Sequence, residues 1–226
     1  MATYLITGGG RGIGAELVRQ AVARGHEVFA TVRQVPANAP ATVTYIDGVD
    51  MLQPKTLGRI AEVIGDRSVD VLINNAGVIG AARQSTLDMD FEGFRHTLEV
   101  NTLAPLRVTQ LLLPALRRAR DRAGIAKVVT ITSQMGRMSY AASDRIAYRA
   151  SKAAVNKVMQ GLATDLAADK IAVLLIHPGW VKTDMGGTSA DVDVVDSAAG
   201  VLDRADTLSM AATGSFVDYA GRKSEW

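Results

Sequence analysis

The chain contains no cysteine. That excludes a disulfide scaffold and any thiolate metal site, and it fits a reducing cytosol. Its three histidines, His26, His96 and His177, show no metal-ligand spacing with acidic partners, so no catalytic metal is expected. The start, MATYLITGGG, lacks a basic region followed by a long apolar stretch, and no signal peptide is read. No uncharged apolar run approaches the ~20 residues that span a bilayer, which argues against a membrane protein. Internal repeats, low-complexity segments and Pro/Gly/Ser-rich linkers are also missing. Excess charge is missing too: the formal net charge is +2 despite a pI near 9.0. The densest basic group, Arg117, Arg118, Arg120 and Arg122, is interrupted by Asp121 and falls at a helix end, where cations suit the dipole. A nucleic-acid surface is therefore not expected.

What remains is an ordinary globular mixture, 226 residues long, 48% hydrophobic and 21% charged. One α/β domain over 1–226 accommodates it.

Thr3 to Thr7 is a short apolar run and reads as a buried strand. GGGRGIG comes next, Gly8 to Gly14, and then a helical pattern carried by Leu17, Val18, Ala21 and Val22, stopped at Gly25. Strand, glycine loop and helix form the context of a dinucleotide fingerprint: glycines let backbone approach a pyrophosphate, and the helix start offers free N–H groups. Two registers fit, Gly10-Gly12-Ala15 and Gly8-Gly12-Gly14. The second is preferred because the turn then begins where the strand ends. His26 to Val32 is a second strand, with Arg33 directly after it. No carboxylate lies between Ala30 and Thr44 to bond a ribose 2′-hydroxyl, whereas an arginine suits a 2′-phosphate.

Further strands are read at Val43–Ile46, ending at Asp47-Gly48, and at Val69–Ile73, running into Asn74-Asn75-Ala76-Gly77. Others come at Lys127–Thr132, Ile171–Ile176 and Ser215–Val217, the last before a polar tail. Between them lie helical patterns from Pro54 to Ile64, Leu98 to Leu116, Ala147 to Leu166 and Val194 to Leu208. Apolar runs alternating with helices predict a parallel sheet covered on both faces, with ligands at the carboxyl ends of its strands.

Ser133 sits at one such end. Tyr148 and Lys152 are i and i+4, so they share one helix face. An ammonium beside a phenol favours the phenolate and lowers its pKa. The pair reads as a tuned acid/base, with Ser133 as a hydroxyl able to hold a substrate oxygen. Alone, each group also fits a plainer role: Tyr-x-x-x-Lys as surface decoration, Asn101 as a core amide, His177 as a turn residue, Arg33 as a solvated one.

The motifs stand in one order: TGGGRGIG, NNAG, Asn101, Ser133, Tyr148-x-x-x-Lys152, HPG and Thr183. This order resembles the short-chain dehydrogenase/reductase family over essentially the whole chain. The tail GSFVDYAGRKSEW and the stretch ending in Arg33 are similar to the small sniffer and C-factor carbonyl reductases of that family. The resemblance implies a seven-stranded doubly wound Rossmann fold and an NADP(H)-dependent oxidoreductase acting on a small carbonyl or alcohol. It implies Tyr148 as acid/base, Lys152 as the group that tunes it and holds the nicotinamide ribose, Ser133 on the substrate oxygen, and Asn101 beside a relay water. On the cofactor it implies Gly8, Gly12 and Gly14 at the pyrophosphate with Ile13 in the same loop, Arg11 near the 2′-phosphate, Asp47 at the adenine, and Asn75, Ala76 and Gly77 on the adenosine side. Pro178, Gly179, Val181 and Thr183 would lie toward the carboxamide. It further implies a cytoplasmic homodimer or homotetramer. A non-catalytic NADP(H) sensor on the same fold is the alternative. The segment after Gly179 is short, so only a small substrate lid is expected.

Overall fold

The computed structural model describes residues 1–226. Its order opens with β1 (Thr3–Thr7), α1 (Gly12–Ala23), β2 (Glu27–Thr31), β3 (Val43–Ile46), α2 (Gly58–Ile64) and β4 (Val71–Asn74). A hairpin of β5 (Gln84–Ser85) and β6 (Asp88–Met89) comes next, then α3 (Phe91–Leu98), a π-helical turn over Glu99–Leu103, and α4 (Ala104–Ala123). The chain ends with β7 (Ala126–Ile131), α5 (Ile146–Asp165), β8 (Ile171–His177), α6 (Val194–Thr207) and β9 (Ser215–Asp218).

Seven strands form one sheet in the order β3-β2-β1-β4-β7-β8-β9. Every neighbouring pair in it is parallel. The period-2 alternation of a strand sorts the apolar runs between two helical layers. Tyr4, Ile6, Ile73, Val129 and Ile176 face α1 and α6, in one core with Leu17, Val18, Val201 and Leu202. Leu5, Leu72, Val128, Val173 and Leu175 face the other way, onto Ile60, Leu112, Leu116, Val155 and Met159. Strands buried on both faces read as unbroken apolar runs, which is why they are visible in the sequence.

The chain returns from the β3 edge to place β4 on the far side of β1. The order of strands reverses there, and such a switch point opens a crevice at the strands' carboxyl ends. The glycine loop after β1 and the Asn75 turn after β4 both line it.

The structure departs from the expected elements in three places. The Leu98–Leu116 pattern is the middle of a longer run: α3 precedes it, the π turn holds Asn101, and α4 continues to Ala123. Pro54 opens a 3₁₀ turn, Pro54–Leu57, before α2. The last residues do not trail away, since Lys223 bridges back to Val217 and the Trp226 ring lies 5.7 Å from Phe216. The arginines at the end of α4 also do more than face a dipole. Arg118 donates to the carbonyls of Gly65 and Arg67, and Arg122 pairs with Asp70 at 2.6 Å. No helix is long and apolar enough to cross a membrane.

Candidate active site

The glycine loop is built by close approach. Gly8 turns with φ +70° directly after β1, and its N–H donates to the Thr31 hydroxyl at 3.2 Å. Gly14 enters α1 against the Gly8 carbonyl oxygen and the Asn75 side-chain amide, so a Cβ there would overlap both. The N-cap position of α1, Arg11, makes no side-chain cap bond, which leaves the helix's first N–H groups open. Ile13, in the first turn of α1, packs half-buried against the core, and Gly12 abuts Thr183. Thr183 Oγ1 donates to Val181 O at 3.3 Å and accepts from Gly186 N–H at 3.2 Å.

Asn75 holds the loop from the neighbouring strand. Its side-chain amide donates to Thr7 O, while its backbone N–H and that of Ala76 both donate to the Thr7 hydroxyl, at 3.0 and 3.1 Å. Thr7 and Thr31 were not singled out from the sequence. Their signal was a hydroxyl residue closing each of two apolar strands.

Asn101 is 1% exposed and spends its amide on protein groups. Its Oδ1 accepts from Val78 N–H at 2.9 Å, and its Nδ2 donates to Val78 O at 2.8 Å and Ser151 Oγ at 2.9 Å. Both N–H donors are used, so the side chain alone does not present a free donor to a water; only one lone pair of Oδ1 remains. That oxygen and Lys152 Nζ converge on Gly77, 3.3 and 3.6 Å from where its Cβ would stand.

α5 carries Tyr148 and Lys152 on its inner face, both buried. Lys152 Nζ donates to Ile131 O at 3.0 Å and stands 5.8 Å from the Tyr148 ring centroid. Its other two N–H donors have no protein partner, an unusual state for a buried ammonium. Burial alone lowers its pKa to about 8. Ser133 sits just past the end of β7; its Oγ accepts from Met135 N–H at 3.1 Å and lies close enough to the Tyr148 phenol to favour its charged form.

The Tyr148 pKa corrects the expectation from spacing. It is raised, because burial penalises the phenolate more than Ser133 and the Arg145 charge favour it. Lys152 does not set the direction.

Arg33 and Asp47 are exposed at the ends of β2 and β3, and neither has an ion-pair partner. Arg11 meets Asp184 at 3.4 Å, both largely exposed. His177 is the last residue of β8, paired with Asp218 of β9, and not a turn residue after the strand as its place before Pro178 suggests; its Nδ1 accepts from Gly179 N–H at 3.1 Å, and Pro178 O accepts from Ser197 Oγ at 2.7 Å. Val181 bridges to Val192, closing a short segment with no helix of its own. A cleft of about 620 Å³ runs past Arg11, Gly77, Val78, Val100 and Asp184, beside the Ser133–Tyr148 pair and not over it. The loop between those two residues is tied to the chain's last residues, as Met138 N–H donates to Trp226 O and Ser139 Oγ to Glu225.

A doubly wound sheet with an open glycine loop, and a Ser-Tyr-Lys cluster at its carboxyl edge, defines an oxidoreductase of the Rossmann class. The chain belongs to the short chain dehydrogenase family, whose profile matches residues 2–193. It is 42% identical over 160 residues to C-signal of Myxococcus xanthus, covering 70% of this chain and 93% of that protein. It is similar to the carbonyl reductase Sniffer of D. melanogaster, with a TM-score of 0.89 and 28% identity over 100% of both chains. An NADPH-bound carbonyl reductase from chicken fatty liver superposes with a TM-score of 0.88 at 28% identity, covering 100% of this chain and 99% of that one.

Proposed function

We propose that this chain is an NADP(H)-dependent reductase of small carbonyl compounds, working through Ser133, Tyr148, Lys152 and Asn101. The observation that carries the reading is the buried Lys152 ammonium, with one protein partner and two unspent donors, beside a Tyr148 phenol that Ser133 addresses. The residues present fit the cofactor. The open start of α1 suits a pyrophosphate, the free Lys152 donors suit a ribose, and Arg33, with no carboxylate partner, suits a 2′-phosphate. The NADPH-bound chicken enzyme supports the choice.

NADPH, when bound, supplies the hydride. Ser133 and Tyr148 hydrogen-bond the carbonyl oxygen and stabilise the charge that develops there. Tyr148, whose raised pKa keeps it protonated at neutral pH, gives that oxygen its proton. Lys152 Nζ and Asn101 Oδ1 converge beside Gly77, and a water held between them would restore the Tyr148 proton. Asp47, Asn75, Ala76, Gly77, Pro178, Gly179, Val181 and Thr183 complete the cofactor's surroundings, with Gly8, Gly12, Ile13 and Gly14 at the pyrophosphate and Arg11 near the 2′-phosphate. We place the enzyme in the cytoplasm as a homodimer or homotetramer, with 1–226 as a single binding and catalytic domain.

The test is NADPH oxidation with a panel of aldehydes, ketones and quinones. Turnover that disappears in Tyr148→Phe is expected. NADPH binding with no turnover of any member would overturn the reading in favour of a sensor.

A further inference from the structure

α5 begins without the usual cap. Its N-cap position is Arg145, held at φ +50°, a left-handed conformation uncommon for a residue with a side chain. Arg145 makes no side-chain cap bond, and no acidic residue stands in the first turn. The first i to i−4 bond of the helix is Arg149 N–H to Arg145 O, 2.9 Å. The N–H one residue earlier, that of Tyr148, is therefore an orphan that an N-cap side chain would ordinarily take.

It is taken from another element. Gln84, at the start of β5, accepts the Tyr148 N–H on its Oε1 at 2.9 Å. Its Nε2 donates both protons, to Ile79 O at 2.9 Å and to Ala81 O at 2.6 Å. Gln84 is only 6% exposed, and all of its polar capacity but one lone pair is engaged. Gly80 makes room for it, since a Cβ there would lie 3.0 Å from Gln84 Nε2 and 2.6 Å from Thr97 Oγ1. A single amide thus joins the backbone of Tyr148 to the segment that continues the Asn75-Ala76-Gly77 turn.

We propose that Gln84 is a positioning residue for the reaction: it fixes the height and rotation of the Tyr148 phenol relative to the cofactor-side turn. The inference rests on the reading of Tyr148 as the proton donor. An apolar residue at this position would leave the Tyr148 N–H and two carbonyls unpaired inside the protein, and the first turn of α5 would shift or fray. A misplacement of about 1 Å at a reacting group costs about a hundredfold in rate.

The experiment measures Gln84→Met, of similar length and without the amide's hydrogen bonds. It is expected to lower kcat about tenfold to a hundredfold, leave the KM for NADPH within about twofold, and move the basic limb of the pH–rate profile, where the Tyr148 phenol loses its proton. A Gln84→Met enzyme within twofold of wild-type kcat would overturn the assignment, as would a loss carried by the KM for NADPH with kcat unchanged. Amide hydrogen exchange on the wild-type protein keeps the inference open to refutation should Gln84→Met not fold. The Tyr148 N–H is expected to be protected, and free exchange there would sink the assignment. Turnover in Tyr148→Phe would remove the reading of the tyrosine and leave the Gln84 bond standing, so the two failures are distinguishable.

Discussion

The Asn75 side-chain nitrogen lies 3.3 Å from the Gly8 carbonyl oxygen and donates to it. The turn after β4 therefore holds the turn after β1, across the point where the strand order reverses. Gly14 fits against both partners of this bond. Gly14→Ala is expected to destabilise the fold by about 1–3 kcal/mol, as overpacking does. It is also expected to weaken NADPH binding more than Gly161→Ala, whose added Cβ meets nothing. Urea unfolding and a titration of NADPH fluorescence check this. Equal affinity in the two variants would detach the loop from the cofactor.

Tyr148→Phe is expected to keep the fold and the NADPH affinity and to lose about 10²–10⁴-fold in kcat. The phenol is buried and bonds through its backbone to Gln84, so the ring can remain in place without its hydroxyl. Near wild-type turnover with a competent carbonyl would assign the proton to another group.

Lys152 gives a pH dependence of stability. Its pKa is about 8 in the fold against 10.5 for a free side chain. The unfolded chain holds the proton to higher pH, so this group makes stability rise as pH is raised from about 8 toward 10.5. Below that window both states are charged, and the burial penalty is present in full. Between about pH 7.5 and about pH 9.5, the urea midpoint of wild type is expected to rise relative to that of Lys152→Met, which has no proton to lose. Parallel curves for the two proteins would contradict the burial of a charged lysine.

Arg33 is expected to favour NADPH over NADH. One charge-assisted hydrogen bond contributes roughly 1.5–3 kcal/mol, about ten- to a hundredfold, before solvent screening reduces it. Arg33 is exposed and free of carboxylates, whereas Arg11 shares its charge with Asp184. Arg33→Asp should therefore cut the preference more than Arg11→Ala, chiefly through the KM for NADPH. The ratio of kcat/KM for the two cofactors decides it, and a ratio unmoved by Arg33→Asp would make the residue a solvated turn.

Much of the sheet was legible because its strands are apolar on both faces. Thr3–Thr7 and Val43–Ile46 have in the fold the bounds their apolar runs suggest. The hairpin at Gln84 and Asp88 was not legible, since two-residue strands leave no periodicity. α3 was missed because Phe91–Leu98 is short and buries only Thr97, and its capping Asp90 was the available signal. In the site, the spacing of Tyr148 and Lys152 showed that they share a face. It did not show that burial would push the phenol up and the ammonium down, because depth belongs to the packing and not to the spacing. Gln84 gave no sign, since its partner lies 64 residues away and is a backbone N–H.

The π-helical turn at Glu99–Leu103 bears on the length of the chain. Such a turn is equivalent to one residue inserted into an α-helix, with the surplus absorbed as a bulge. Deleting a single residue here would let α3 and α4 run on as one regular helix. In the shortened chain α3 would be rotated by about 100° against α4, the angle of one residue in a 3.6-residue turn. Asn101 would then swing away from Val78 or from Ser151. The irregularity is an insertion the fold has kept in register with its site, and the more regular variant is the one expected to lose activity.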